Sequence, residues 1–167
     1  MNRRSMKVFT GYHGTTELNG RRILKEKQFN LSNGNKEWLG KGIYFYEKYI
    51  DAFNWTQGSM VLHSIIEVED DQYIDIDTEE GKKTCRKIMK YIFEKYSDRI
   101  NEKAQENQCQ TMNFMWETSP RLRLIFASFS SEKSKYNMLI DVREKRREFC
   151  VRSNEVIKSI QTIERVK

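Results

Sequence analysis

Two short motifs constrain this chain more than any other feature: Tyr12-His13-Gly14-Thr15 and, about thirty residues later, Gly40-Lys41-Gly42-Ile43-Tyr44-Phe45. Each is a short polar insert within an apolar, strand-like run. The first motif brings an imidazole, a bare backbone and a hydroxyl within three residues. The second sets an aromatic face beside backbone that a flat ligand can approach closely, because glycine has no Cβ. Together the motifs predict two strands that present these groups to a flat ligand.

Hydrophobic periodicity predicts an α+β chain. We expect helices over 18–27 and 82–103, and strands over 7–12, 43–46, 60–68, 73–76, 148–152 and 156–163. The segment 104–116 fits either a helix or a loop, and 121–129 is apolar enough to be buried in either type of element. The last two strands are expected to pair with each other across Ser153-Asn154.

Length and composition predict one domain over residues 1–167, since a chain of this size buries a core without disulfide or metal staples. Its three cysteines are odd in number and lack metal-ligand spacing, which favours a reducing cytoplasm and a protein without a metal. The N-terminus has no apolar signal region, and no apolar run approaches the roughly 20 residues that span a bilayer. The expected location is cytoplasmic, with no membrane partner.

Charge is distributed unevenly. Residues 1–80 hold 10 Lys and Arg against 13 Asp and Glu (−3), whereas residues 81–167 hold 20 against 11 (+9), in agreement with the total of +6. A basic half on an ordinary domain suggests an anionic partner such as nucleic acid. A solvated basic surface is the alternative.

The two motifs, in this order and at this spacing, resemble the first elements of the poly(ADP-ribose) polymerase-like ADP-ribosyltransferases, whose site is built on a His, a Tyr and a Glu. The match covers residues 8–55, and Glu148-Phe149-Cys150-Val151 resembles the strand that opens with the family's catalytic Glu. The resemblance implies the ADP-ribosyltransferase fold, a split pair of small, mostly antiparallel β-sheets that form an NAD cleft, with peripheral helices. It also implies a small bacterial or phage-type member with a single domain.

The resemblance assigns the residues that bind NAD, the substrate. His13 would bond the hydroxyls of the adenosine ribose, with Thr15 beside it, and the backbone of Gly14 would clamp the nicotinamide carboxamide. Tyr44 would stack on the nicotinamide ring, and Trp55 would occupy the second aromatic position. No metal is implied.

Glu148 is the implied catalytic carboxylate, which binds the nicotinamide-ribose 2′-hydroxyl and stabilises an oxocarbenium-like transition state. Glu144 is its rival, but only Glu148 directly precedes the apolar strand. Two departures from the family stand out. Ala52 occupies the position of a common carboxamide-binding Ser, and Cys150-Val151-Arg152 follows where a Tyr is commoner.

The expected function is mono-ADP-ribosylation of a macromolecule, with nucleic acid slightly favoured over protein. Four basic residues beside the catalytic Glu could contact acceptor phosphates: Arg143, Lys145, Arg146 and Arg147. Such an enzyme would harm its host unless restrained, which suggests a toxin or defence effector with a neutralising antitoxin. An NAD glycohydrolase, an RNA 2′-phosphotransferase-like enzyme and a non-catalytic module that binds NAD or nucleic acid remain as alternatives.

Overall fold

The computed structural model describes residues 5–33, 37–57, 59–96, 108–130 and 145–163, and it confirms the α+β class. The strands are β1 (Met6–Thr15), β2 (Ile43–Tyr46), β3 (Met60–Glu69), β4 (Tyr73–Asp75), β5 (Leu124–Ser130), β6 (Lys145–Val151) and β7 (Ile157–Thr162). The helices of the described residues are α1 (Glu17–Glu26), α2 (Tyr49–Trp55), α3 (Glu79–Tyr96) and α4 (Gln108–Thr118).

All seven strands join one mixed sheet in the order β4-β5-β6-β2-β1-β3-β7. The expectation of two separate sheets is therefore not met at the level of strand pairing. The join is narrow, however, because β1 and β2 are in register at one residue pair, Tyr12 with Tyr46. One half of the sheet holds β4, β5, β6 and β2, and the other holds β1, β3 and β7.

The predicted hairpin between the last two strands is wrong. β6 is already paired on both edges, with β2 on one side and β5 on the other. A 3-10 turn over Asn154–Val156 therefore carries the chain across the sheet, and β7 pairs with β3 at the far edge.

The helix predicted over 82–103 begins earlier, at Glu79. The hydroxyl of Thr78 accepts the Gly81 N–H at 2.9 Å, which supplies a partner for an otherwise free N–H in the first turn. Residues 97–103 of that predicted helix lie outside the described ones. α3 and α4 connect β4 to β5, which are parallel and so require a crossover.

Side chains alternate between the two faces of the sheet and build a core on each. On one face, Phe45 stacks on Phe149 with ring centroids 5.4 Å apart, and α1 contributes Ile23. On the other face, α3 and α4 cover Ile125 and Cys150. Tyr44, Tyr46, Glu148 and Arg146 belong to this second face by alternation along β2 and β6.

Candidate functional site

The narrow join between β1 and β2 leaves backbone groups of both strands outside the β1–β2 ladder. On β2, the Glu47 N–H donates to Arg147 O at 3.1 Å, so Glu47 directs its backbone groups toward β6. Since these directions alternate in an antiparallel ladder, Tyr46 and Tyr44 direct theirs toward β1. The contact of Tyr44 O with His13 Nδ1 at 2.7 Å agrees with this direction.

The backbone of β1 can be oriented in the same way. The Asp70 N–H donates to Ser5 O at 3.1 Å, so odd-numbered residues of β1 face β3. Tyr12 and Gly14 consequently direct their N–H and C=O groups toward β2. The β1–β2 register includes Tyr12 but stops before Gly14. Gly14 thus presents a donor and an acceptor to the opening between the two halves of the sheet.

The His13 side chain replaces the backbone of Gly14 as the partner of Tyr44 O. If the register continued, Gly14 would face Tyr44, but Tyr44 O is held instead by His13 Nδ1. A carbonyl only accepts hydrogen bonds, so Nδ1 carries the proton and Nε2 is left as an acceptor in the neutral ring. Burial lowers the pKa of His13, and the bond to Tyr44 O partly opposes that effect. His13 is therefore neutral at pH 7, and Nε2 is the ring nitrogen left to accept a hydrogen bond. The ring packs against Phe29 and Phe45 of the core on the sheet face opposite to Glu148.

This lowered pKa predicts a stability loss in weak acid. The unfolded chain takes up a proton at His13 near its ordinary pKa of 6.5, whereas the folded chain resists protonation. The contribution of neutral His13 to the free energy of unfolding should therefore be complete above pH 6.5 and decline as the pH falls from there to the pKa of His13 in the folded state. The total decline is about 1.4 kcal/mol for each unit by which folding lowers that pKa. Urea denaturation between pH 7.5 and 5.5 measures the slope, which His13→Asn should reduce. An unchanged slope in that variant would contradict the assignment.

Helix α2 packs directly against Gly14. A Cβ built on Gly14 would lie 2.5 Å from Ala52 O and 2.6 Å from Thr56 Cγ2, so only glycine fits. Trp55 follows one turn after Ala52, at the end of α2, and this residue is 68% exposed. The structure therefore brings Gly14 and the Trp55 helix together, while Trp55 remains open to a partner. Thr15, the last residue of β1, is partly buried.

Tyr44 lies on β2, with its ring partly buried and its hydroxyl engaged. The hydroxyl donates to Gly40 O at 2.8 Å and accepts the Leu39 N–H at 2.9 Å. Burial raises the pKa of Tyr44 far above its ordinary value, so the phenol stays neutral. The hydroxyl thus anchors the loop before β2, and the ring is the part of Tyr44 left to contact a ligand.

Glu148 lies in the middle of β6, opposite Tyr46, rather than at the start of a strand. It is one of two buried charged residues among those described; the other is Asp51, and each is 8% exposed. Trp38 Nε1 donates to Glu148 Oε2 at 3.1 Å, and the hydroxyl of Tyr46 also bonds the carboxylate. Burial raises the pKa of Glu148, and the bonds from Trp38 and Tyr46 act in the opposite direction.

A second carboxylate and a guanidinium complete the surroundings of Glu148. Arg146 lies two residues before Glu148 on the same face of β6, with Nε 3.6 Å from Asp51 Oδ1. Both Arg146 and Asp51 contribute to the electrostatics at Glu148, the first lowering its pKa and the second raising it. With both acids ionised the three groups sum to −1, a charge that favours a developing cation.

The four predicted acceptor-binding residues differ in their surroundings. Arg146 is paired with Asp51, as described above. Arg147 points to the opposite face, where its guanidinium lies between the carboxylates of Asp75, Glu47 and Asp77. Lys145 opens β6, but its side chain lies outside the described set, as do Arg143 and the rival acid Glu144.

Sequence reasoning missed three members of the site: Trp38, Tyr46 and Asp51. Side chains alternate along a strand, so Tyr46 lies on the same face as Tyr44 and could have been predicted from the sequence. Trp38 belongs to a loop and Asp51 to a short helix. The sequence of these segments does not show that Trp38 contacts the Glu148 carboxylate or that Asp51 pairs with Arg146. Only the packing of the two segments over β6 brings them to Glu148.

Two features are absent from the residues that the structure describes. No helix there is long and apolar enough to cross a membrane. No group of three or more His, Cys, Asp or Glu side chains is arranged to hold a metal ion in the same part of the chain.

Comparison with known proteins gives one short similarity. The chain is 46% identical over 46 residues to an uncharacterized protein of Methanocaldococcus jannaschii, a stretch that covers 28% of this chain and 22% of that protein. The chain thus spans about a fifth of the length of this relative. No family profile and no solved structure matches.

Proposed function

We propose that this protein is an NAD-dependent mono-ADP-ribosyltransferase that cleaves the bond between nicotinamide and ribose and transfers ADP-ribose to a macromolecule. One observation carries the proposal. The β1–β2 register stops just before Gly14, whose backbone donor and acceptor therefore face the opening between the strands, with Glu148 one strand beyond on β6. A primary carboxamide has a complementary donor and acceptor, so nicotinamide fits this edge of β1.

The spacing across the sheet supports the proposal. Glu148 pairs with Tyr46, and Tyr46 pairs with Tyr12. Adjacent strands are about 4.8 Å apart, so Glu148 lies roughly 10 Å from the β1 backbone. A nicotinamide held at Gly14 can direct its ribose toward Glu148 across this distance. The narrow β1–β2 join leaves an opening within the single sheet at which the proposed NAD site would lie.

Each group then has a chemical task. His13 Nε2 accepts a ribose hydroxyl, the ring of Tyr44 and the exposed ring of Trp55 contact the nicotinamide, and Glu148 bonds the ribose 2′-hydroxyl. As nicotinamide leaves, positive charge develops at the ribose, and a fixed carboxylate stabilises it without reorganisation. Water must be excluded until the acceptor arrives, or NAD is hydrolysed.

The same geometry weighs against a 2′-phosphotransferase. That chemistry needs several cations to bind a phosphate, whereas the described residues around Glu148 comprise two acids and one arginine, and that arginine is paired with Asp51. His63 lies on β3, which is separated from the Glu148 strand by β1 and β2, so His63 is not part of the group around Glu148.

A cationic stripe on α3 favours nucleic acid as the acceptor. Cys85, Ile88, Met89 and Ile92 of α3 pack toward the sheet, and the outer side exposes Lys83, Arg86, Lys87 and Lys90 at helical spacing. Lys90 has a partner in Glu94 at 3.7 Å, a weak surface pair. Such a stripe can follow a phosphate backbone on the face of the sheet that holds Glu148.

Reversal of charge on the stripe should weaken transfer to the nucleic-acid acceptor without affecting the cleavage of NAD. In Lys83→Glu/Lys87→Glu we expect labelling of nucleic acid to fall about 10-fold or more at physiological salt, because phosphate contacts are lost. Slow hydrolysis of NAD should be unchanged. Lys25→Glu/Lys158→Glu, an equal charge change elsewhere on the surface, is the control. Equal losses in the two variants would indicate a general charge effect rather than a docking surface.

Label transfer from adenylate-labelled NAD to separate pools of RNA, DNA and protein tests the proposal. Label on one class of macromolecule, absent with Glu148→Gln, supports a transferase and identifies its acceptor. Nicotinamide release without labelled product would favour a glycohydrolase. No turnover of NAD with any pool would favour a binding module.

A further inference from the structure

The loop before β2 is held by several hydrogen bonds, and its Trp38 side chain contacts Glu148. In the turn that includes Trp38 and Leu39, Gly40 N–H donates to Glu37 O at 3.0 Å, and Gly40 has φ of +82°. A Cβ there would lie 2.7 Å from Asn113 Oδ1, so the residue must be glycine for both conformation and space.

Groups on β2 and α4 hold this turn from two sides. Tyr44 binds it through the Leu39 N–H and Gly40 O, as described above. From α4, Trp116 Nε1 donates to Leu39 O at 2.9 Å, and Asn113 Oδ1 accepts the Lys41 N–H at 2.6 Å. Four hydrogen bonds therefore fix the loop that carries Trp38.

Trp38 is held at its other end by Glu148 and by an aromatic neighbour. Its indole N–H donates to Glu148 Oε2, and its ring meets the edge of Phe129 at 4.9 Å between centroids. Because Tyr46 bonds the same carboxylate, Glu148 is oriented from the loop and from β2 at once.

We propose that Trp38 is a positioning residue for the proposed transferase: it orients the Glu148 carboxylate, and the Tyr44 hydroxyl and Trp116 act through it by holding its loop. This inference rests on the proposed function. Trp38 supplies one N–H and a rigid ring, so it fixes a carboxylate that would otherwise have several rotamers. The Tyr44 hydroxyl then has a task distinct from the stacking contribution of its ring.

Trp38→Phe tests the inference, because it keeps an aromatic ring and removes the N–H. We expect kcat for NAD turnover to fall about 10- to 100-fold, the range for loss of a hydrogen bond to a charged group, with KM for NAD within about 3-fold of wild type. Tyr44→Phe, which keeps the stacking ring, should lower kcat in the same direction. Phe129→Leu is the control, since it alters the packing around Trp38 and retains the N–H.

The pH profile separates positioning from packing. Among the described residues, the groups around Glu148 that titrate or carry charge are Arg146 and Cys150 on β6, Tyr44 and Tyr46 on β2, and Asp51 on α2. Only the Trp38 bond is removed in Trp38→Phe, so the acid limb of kcat should move to higher pH, and it should stay in place in Phe129→Leu. Wild-type kcat and acid limb in Trp38→Phe would overturn the inference. Absence of NAD turnover in the wild type would overturn the proposed function as well.

Discussion

Glu148→Gln is expected to reduce ADP-ribosyl transfer by about 10³-fold while NAD still binds, because loss of one preorganised electrostatic group costs about 10²–10³ in rate. Glutamine has the same shape and can still accept the Trp38 N–H, so the fold around β6 should persist. It lacks only the negative charge that opposes the cation developing at the ribose. Initial rates of nicotinamide release and calorimetric titration with NAD measure the two effects.

The same substitution should make the protein more stable at neutral pH. Burial raises the pKa of Glu148 above its ordinary value. The free energy of unfolding therefore falls as the pH rises from about 4.5 through the pKa of Glu148 in the folded state. Glutamine avoids this cost, and urea denaturation at pH 7 should show a higher unfolding free energy. A gain in stability with a loss of activity is the pattern expected when a charge is kept for catalysis.

Two controls separate Glu148 from its neighbours. Glu144→Gln tests the other acid of the basic run, and we expect wild-type turnover. Asp51→Asn leaves Arg146 without its carboxylate partner, so we expect a smaller loss than at Glu148. If Glu144→Gln abolishes turnover and Glu148→Gln does not, the assignment of the catalytic acid is wrong.

Gly14→Ala should both weaken NAD binding strongly and destabilise the fold. The added methyl group would meet Ala52 O at 2.5 Å and Thr56 Cγ2 at 2.6 Å, and the first of these is helix backbone that cannot rotate away. Overpacking of this kind costs about 1–3 kcal/mol. A displaced α2 also moves Trp55 and the backbone edge of Gly14, so NAD affinity should fall about 100-fold or more, as lost orientation alone can cost. Calorimetry and urea denaturation report the two losses.

Gly20→Ala is the matched control. A Cβ on Gly20 would also collide, but with the sulfur of Met60, the movable end of a flexible side chain. Gly20 lies within α1, where alanine is favoured over glycine by up to about 1 kcal/mol. We expect near wild-type stability and NAD binding. Comparable losses of affinity in both variants would show that Gly14 has no special role at the site.

The sequence predicted the elements whose patterns are strong and local. β2 was predicted with its observed bounds, α1 differs by one residue at each end, and both motifs lie beside the β1–β2 join. Thr16 and Lys27 explain the bounds of α1. The Thr16 hydroxyl accepts the Asn19 N–H, and Lys27 adopts φ of 56° at the C-cap.

The sequence did not predict the elements whose type or partner strand is decided by long-range pairing. The ambiguity over 104–116 and 121–129 resolves into α4 and β5 because β5 fills the remaining edge of β6 and α4 covers it. The same occupied edge sends β7 to β3. At the candidate site, the motifs predicted His13, Gly14, Tyr44 and Glu148, whereas Trp38 and Asp51, which lie beside Glu148, come from a loop and a short helix with no periodic signal.

The central claim is that the chain breaks the bond between nicotinamide and ribose. A chromatographic time course of free nicotinamide from NAD, with wild type and Glu148→Gln at equal concentration and with mixed nucleic acid and protein acceptors present, tests this claim most directly. We predict steady release by the wild type and about 10³-fold slower release by the variant. Equal release by both proteins, or none by either, would contradict the account.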